Sequence, residues 1–552
     1  MAGQVSPGIV LRERDLTNSV AVATQANTAA LVGVFEKGPV GVITSITSEK
    51  QLVDTFGKPN NNNFEDWYVA STFLGYGGQL QVVRVADSSL KNAVSDYDSE
   101  VPNAPLISSF SDFEAQKGTT NFKFAARTPG TWGTSLKVSV IDGSVTTLEY
   151  ASATYHGNSK WSSLAPKPAD SNTCHVVVID EDGAITGTPN TLLETFLFVS
   201  RLESAVGSEG ETNFYPNVIN RRSRYVYADE LVSVGEVELS LEGGVDAYQA
   251  STSSLEAALS VFEDVENISI DFILAGGSIT YGVTPGDATK TKALKAISIA
   301  ASRKDCIAFV SPYRSFVSLS DTAAQKDAIL SYFSNLTSTS YAVFDSGYKY
   351  IYDRYNDVYR YIPCCGDVAG LCVQTSVTLE DWFSPAGLQR GNLRNAIKLA
   401  YTPSKTDRDE LYQNRINPIT SFPGQGIVLF GDKTALATPS AFDRINVRRL
   451  FLALERRVAS VARNVLFELN DTTTRNSFFT TANAFMGEVQ AKRGVTDYLV
   501  VCDETNNTPE VIDRNEFVAE IYVKPTRSIN YITITFVATK TGVSFAEVTG
   551  QV

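Results

Sequence analysis

Two widely separated stretches of this chain repeat one alternation of short apolar runs and amphipathic segments. In the first, the pattern predicts a strand over Ala29 to Phe35, helices over Ser48 to Phe56 and Phe64 to Gly75, and a strand over Leu80 to Val85. In the second it predicts helices over Ser254 to Phe262, Thr289 to Ser302 and Thr322 to Asn335, with strands over Ile268 to Leu274 and Cys306 to Val310. Unbroken apolar strands of this kind belong to sheets covered on both faces. A shared grammar predicts one α/β domain, residues 23–94 plus 245–403, with the intervening chain inserted into it.

That intervening chain, residues 95–244, changes character. Ser, Thr, Asn, Gly and Pro interrupt short β-like pieces at Phe122 to Ala126, Leu136 to Ile141 and Cys174 to Ile179, which predicts a β-rich inserted domain. Residues 1–22 read as an arm: a Pro-Gly turn, a short strand-like stretch and then polar Asp15 to Ser19. Tyr348 to Tyr361, rich in tyrosine but flanked by Asp353 and Asp357, reads as a strand pair rather than a base-stacking platform. A further domain is expected over 404–552, with strands at Phe517 to Lys524 and Ile529 to Ala538. The expected fold class is therefore α+β multidomain (mixed α/β), with nested domains.

From Ala441 an Arg-rich helix pattern begins. Val447, Leu450, Phe451, Leu454, Val458, Val461 and Val465 recur at three- and four-residue steps and predict one buried stripe. Arg449, Arg456 and Arg463, seven residues apart, fall in line on the opposite side, flanked by Arg448 and Arg457. Such a ridge is either a solvated helix face or a set of forked donors for a carboxylate-lined partner.

The function classes narrow by charge and by chemistry. With 47 basic against 61 acidic residues the net charge is −14, which disfavours nucleic acid and anionic membranes as partners. No apolar run reaches the roughly 18 residues of a membrane span, and Met1-Ala-Gly-Gln-Val lacks a signal-peptide pattern, so the chain is expected to stay in the cytoplasm where it is made. Six scattered cysteines, Cys174, Cys306, Cys364, Cys365, Cys372 and Cys502, form no disulfide framework or paired zinc spacing. The only histidines are His156 and His175, and no nucleophile, base and orienting group can be named together. Gly426-Ile-Val-Leu-Phe-Gly431-Asp-Lys-Thr434 nearly spells a phosphate loop, but Asp432 interrupts it and Ile-Val-Leu-Phe reads as a buried strand. The expectation is a non-enzyme without cofactor or metal; an α/β enzyme of unknown substrate is the remaining alternative from another class.

Several words of the sequence are recognisable. Phe442-Asp-Arg-Ile-Asn-Val-Arg-Arg-Leu-Phe451, Val501-Cys-Asp-Glu-Thr-Asn-Asn-Thr-Pro509, Val511-Ile-Asp-Arg-Asn-Glu-Phe-Val518 and Arg527-Ser-Ile-Asn-Tyr-Ile-Thr533 resemble the C-terminal domain of the tail sheath proteins of contractile-tailed phages, in the T-even-like group. Ser6-Pro-Gly-Ile-Val10, Phe35-Glu-Lys-Gly-Pro39, Leu52-Val-Asp-Thr-Phe-Gly57, Gln81-Val-Val-Arg84, Tyr348 to Asp357, Ser384-Pro-Ala-Gly387 and Gly431-Asp-Lys-Thr434 resemble the same family in the same order. Residues 95–244 match least, although Thr128 to Lys137 is similar to a Pro-Gly motif of sheath proteins. Only some 25 residues separate Lys91 and Val94 from that motif, so the additional outward domain of T-even-like members is expected to be absent or vestigial.

The resemblance implies a helical homopolymer around a tail tube, metastable when extended, whose contraction drives the tube through the host envelope for genome delivery. It implies partners in the tail tube, baseplate and tail terminator proteins, and a place in the virion tail after assembly in the host cytoplasm. It also implies strand exchange: Gly8, Ile9, Val10, Leu11, Arg12 and Glu13 at one end, and Val543, Ser544, Phe545, Ala546, Glu547 and Val548 at the other, adding to C-terminal-domain sheets of neighbours. The Arg448, Arg449, Arg456, Arg457 and Arg463 set is then the candidate tube-facing surface. The sheath of a bacteriocin-like or secretion-type injection system is the alternative within the same class.

Overall fold

The structure, a computed structural model, describes residues 27–85, 87–97, 104–118, 122–207, 209–229, 232–277 and 285–530. The arm positions Gly8 to Glu13 and Val543 to Val548 lie outside the described residues, as does most of the expected strand Ile529 to Ala538. The chain divides into two compact units, Met1–Asp381 with Pro385–Arg448, and Trp382–Ser384 with Arg449–Val552.

The first unit is built on a seven-stranded sheet. Its order is Ile416–Asn417, Ala342–Asp345, Ile307–Val310, Phe272–Leu274, Thr28–Gly33, Gln79–Arg84 and Thr44–Ile46. All neighbours are parallel except the last pair. Thr28–Gly33 lies beside Gln79–Arg84 on one side and Phe272–Leu274 on the other, so the two blocks of like grammar share one sheet.

One sheet face packs on helices Thr252–Ser260, Pro285–Arg303 and Thr322–Ser334 through Leu255, Leu259, Ile297, Ala300, Ile329 and Phe333. The other carries helices Phe64–Gly75 and Cys365–Thr378, with the Phe73 ring edge-on to Phe272 at 6.1 Å. Those two helices meet closely because Gly366 and Gly370, one turn apart, lie against Val69 and Tyr76. A Cβ would come 2.7 Å from the Val69 carbonyl oxygen and 2.3 Å from the Tyr76 ring. Ser48, Ser251 and Asp321 cap three of the helices by accepting hydrogen bonds from backbone N–H groups. Tyr348–Asp353 and Val358–Pro363 form an antiparallel pair.

The inserted residues form their own antiparallel sheet, ordered Glu236–Ser240, Leu136–Asp142, Thr173–Asp180 and Thr191–Ser200. Phe124, Trp132, Val138, Val176, Val178, Tyr215 and Val218 fill one side of it, and Ile141, Tyr150, Trp161, Val177 and Ile179 the other. The chain enters and leaves side by side, since Val94 bridges to Glu242 and Lys91 to Val245.

The expected domain start at Ser404 requires correction. Ile416–Asn417 pairs with Ala342–Asp345, Asn417 Nδ2 donates to the Phe344 carbonyl at 2.9 Å, and Leu411 and Ala435 sit in the same core. Residues up to Arg448 therefore belong with the first unit. A two-residue strand containing Asn carries no readable alternation, so nothing in the local pattern marks it as part of the first unit.

The second unit contains most of the helix Ile445–Arg463, the helix Thr472–Ala491 capped by Asp471, and the antiparallel pair Val495–Val501 and Glu520–Pro525. Leu450, Leu454, Phe478, Met486, Val489 and Val500 form its core, and the Trp382 indole N–H donates to the Lys492 carbonyl.

Candidate assembly surfaces

The strand pair of the second unit has the geometry that strand addition needs. Among the described residues Val495–Val501 and Glu520–Pro525 have only each other as partners, so each presents one unpaired edge. Ile521 and Val523 pack inward, while Glu520, Tyr522 and Lys524 alternate outward. Leu499 and Tyr522, opposite one another on the outer face, are 58% and 56% exposed. Lys524 closes an ion pair with Asp497 at 2.7 Å beside them.

The arginines of the helix Ile445–Arg463 do not form one solvated ridge. Arg448 is 5% exposed; its guanidinium donates to Ser340 Oγ at 2.7 Å and lies over the rings of Tyr341 and Phe442. Arg449 is 4% exposed. The first turns, Ile445 to Leu450, are buried at every position, and a helix enclosed on all sides has no solvent face for periodicity to reveal. Further along, Arg456 is half-buried and Arg457 and Arg463 are exposed. Arg457 lies 3.8 Å from Glu488 and over the Phe485 ring.

The open end of the seven-stranded sheet, where ligands of α/β folds ordinarily sit, is filled by side chains. Asp66 pairs with Lys292 at 3.1 Å and Glu65 with Arg314 at 2.7 Å, and the Gly277 N–H donates to Asp66 at 2.7 Å. A Cβ at Gly277 would fall 2.2 Å from that of Glu65. Nearby, Lys349 and Asp367 pair at 2.8 Å. Asp345 accepts from the Gly347 N–H and Ser311 hydroxyl, yet burial pushes its carboxyl up to about 7.

Gly426–Leu429 is a strand paired with Ile419–Phe422, and Asp432 is tied to Tyr412 and Arg444, so this segment forms no phosphate cradle. All six cysteines are buried free thiols. His175 is buried, accepts from the Phe198 N–H at Nδ1, and is shifted below its usual range by burial. Among the described residues no group of three or more His, Cys, Asp and Glu could hold a metal, and no helix is long and apolar enough to cross a membrane.

Arg84 is an anchor that the motifs of the sequence do not single out. It is 1% exposed, and its guanidinium donates to the carbonyls of Gly38 at 3.0 Å, Pro129 at 2.7 Å and Glu36 at 3.2 Å, joining the sheet to the turn at Thr128 to Gly130 of the insertion. A lone cation closing the apolar run Gln81-Val-Val-Arg84-Val was the available signal.

Comparison with known proteins agrees with this architecture. The model of the phage tail sheath protein central domain matches residues 250–435, and that of the phage tail sheath C-terminal domain matches residues 437–539. The tail sheath protein of Vibrio phage KVP40 is 30% identical, covering 99% of this chain and 100% of the relative. Sheath tail proteins of Listeria innocua and Desulfitobacterium hafniense share the fold at TM-scores of 0.53 and 0.51, with 12% and 10% identity. They cover 91% and 90% of this chain and 96% and 94% of their own. The alignment with the tail sheath protein of Enterobacteria phage T4 spans 667 residues against the 552 here, so that relative carries segments with no counterpart in this chain. Because that same alignment holds 32% identity over 99% of both proteins, the chain belongs to the phage tail sheath protein family.

Proposed function

We propose that this chain is the structural subunit of a contractile phage tail sheath. It polymerises helically around the tail tube in a metastable extended state and contracts to drive the tube through the host envelope for genome delivery. The observation that carries this reading is the 32% identity with a T-even tail sheath protein over 99% of each chain. The subunit acts structurally rather than catalytically, is assembled in the host cytoplasm, and meets the tail tube, baseplate and terminator proteins. A heterologous, non-closing contact between copies yields the helix.

The proposed links are the terminal arms, Gly8 to Glu13 and Val543 to Val548, adding to the Val495–Val501 and Glu520–Pro525 pair of neighbours. The edges of that pair, unpaired among the described residues, support this reading. Each link offers several hydrogen bonds worth about 1 kcal/mol net apiece, multiplied by repetition along the sheath. The tube-facing set reduces to Arg456, Arg457 and Arg463, the members with solvent exposure. Domain roles follow: an exchanging arm, an α/β middle domain, an outer β-rich insertion, and a C-terminal domain against the tube. Segments of the T4 relative without a counterpart here support absence of the additional outward domain.

Electron microscopy of the full chain at rising concentration, beside a variant lacking residues 1–18, tests the reading. Helical tubes from the full chain and none from the variant are expected. Co-assembly with tail tube and baseplate that yields no sheath would overturn it.

A further inference from the structure

Two lysines of the first unit are buried against aspartates, and the two pairs are built differently. Lys292 meets Asp66 at 3.1 Å, where Asp66 also accepts from the backbone N–H groups of Gly277 and Val34. Those donors favour the charged carboxylate. Lys349, on the strand Tyr348–Asp353, meets Asp367, in the first turn of the helix Cys365–Thr378, at 2.8 Å, and their side chains are 2% and 0% exposed. Here one carboxyl oxygen, Oδ1, takes the hydrogen bonds of both Lys349 Nζ and the Tyr76 hydroxyl, the latter at 3.1 Å. The other, Oδ2, is buried with no hydrogen-bond partner among the described residues. An anion with one oxygen bare is poorly held, and burial raises the Asp367 carboxyl above its usual range.

The neighbours fix both groups for reaction with each other. The Tyr76 hydroxyl oxygen accepts from the Arg394 N–H at 2.9 Å, which turns its own proton toward Oδ1. The Arg394 carbonyl accepts from Lys349 Nζ at 2.8 Å and holds the nitrogen in place. With Nζ 2.8 Å from Oδ1 and a C=O bond of about 1.2 Å, Nζ is no more than about 4 Å from Cγ. That is close to the near-attack separation of about 3–3.5 Å. Burial also keeps out the water that would reverse a condensation.

We propose that Lys349 and Asp367 are a modification site, where the two side chains condense into an intramolecular amide. One proton passes from Nζ to Oδ2, leaving an amine and a carboxylic acid. The nitrogen lone pair forms a bond to Cγ while charge gathers on Oδ1 against the Tyr76 hydroxyl. The Cγ–Oδ2 bond breaks, the nitrogen gives a second proton to the departing oxygen, and one water leaves; nothing is oxidised or reduced. The product replaces two buried charges with a neutral amide. It also closes a covalent ring around the hairpin Tyr348–Asp353 and Val358–Pro363, so a pull on the chain bypasses those strands. Such a cross-link stands whether or not the chain is a sheath subunit.

Mass spectrometry of the full chain, folded and then denatured, tests it. The expected intact mass is lower than the sequence mass by one water. Trypsin spares an acylated lysine, so the digest should contain residues 327–354 joined to residues 361–390 as one branched peptide, with the link between Lys349 and Asp367 in the fragment spectrum. Lys349→Arg keeps a cation beside Asp367 but cannot close the amide; its full mass and no branched peptide are expected, with folding verified by circular dichroism. Folded wild-type chain that retains its full mass after days at neutral pH would leave an ion pair only and overturn the proposal. A water loss that persists in Lys349→Arg, or one mapped to other residues, would overturn it as well.

Discussion

Replacing Arg84 with Met tests whether the junction between sheet and insertion is held as described. Met keeps an apolar stem but no donor, so the carbonyls of Gly38, Pro129 and Glu36 each lose the guanidinium. Buried carbonyls deprived of a donor cost about 1–3 kcal/mol each, or about 6 kcal/mol for three. Against this, burial holds the guanidinium at about 10 rather than 12.5, and relief from that burial returns about 3 kcal/mol. The net loss is about 3 kcal/mol, or roughly a hundredfold in the opening equilibrium at 1.4 kcal/mol per decade. Hydrogen exchange read by mass spectrometry should show amides of residues 36–38, 128, 130 and 131 exchanging about a hundredfold faster, with the helix Thr472–Ala491 unchanged as internal reference. Exchange at the junction within threefold of wild type, in a folded variant, would refute the reasoning.

Asp345 gives a pH prediction. With its carboxyl at about 7 in the fold against an ordinary 3.8, the folded chain holds a proton that the unfolded chain has released between those values. Its contribution to stability therefore falls as pH rises from about 4 to 7 and is level above. Asp345→Asn, whose Oδ1 can still accept from the Gly347 N–H while its Nδ2 donates to the Ser311 hydroxyl oxygen, should flatten that decline and be more stable than wild type at pH 8 by urea denaturation. Gly370→Ala drives a methyl into the Tyr76 ring and should cost about 1–3 kcal/mol, seen as a lower urea midpoint; Val377→Ala, at an exposed position of the same helix, serves as the control. Arg457→Glu with Arg463→Glu, both exposed, should abolish co-sedimentation with tail tubes at low salt while leaving the circular dichroism spectrum unchanged. Unaltered tube binding would remove these residues from the interface.

Where apolar periodicity met a single solvent boundary, the elements were legible. Phe64–Gly75 was read to the residue, and Glu49–Phe56 and Thr322–Ser334 to within one at each end. The insertion was legible through its change of composition. The helix Ile445–Arg463 failed differently: its length was clear, but Arg448 and Arg449 sit where the helix is enclosed, and charge alone cannot say whether a guanidinium meets water or a ring and a hydroxyl. Arg84 and the Gly366 and Gly370 contact depend on partners remote in sequence, as does the pairing of Ile416–Asn417. The Lys349 and Asp367 pair needed both a strand and a helix placed beside it, which no local pattern encodes.

The pairing of Thr28–Gly33 with Phe272–Leu274 also sets a timetable for synthesis. The Thr28 N–H donates to Asp271, 243 residues later in the chain, a delay of about 12 to 50 s at roughly 5–20 residues per second. The insertion, contiguous in sequence, emerges whole within that interval and can complete its own sheet first. Thr28–Gly33 meanwhile waits with one apolar edge uncovered, an interval open to aggregation. A nascent copy therefore reaches a finished first unit only late in translation, which keeps folding on the ribosome separate in time from association between completed copies.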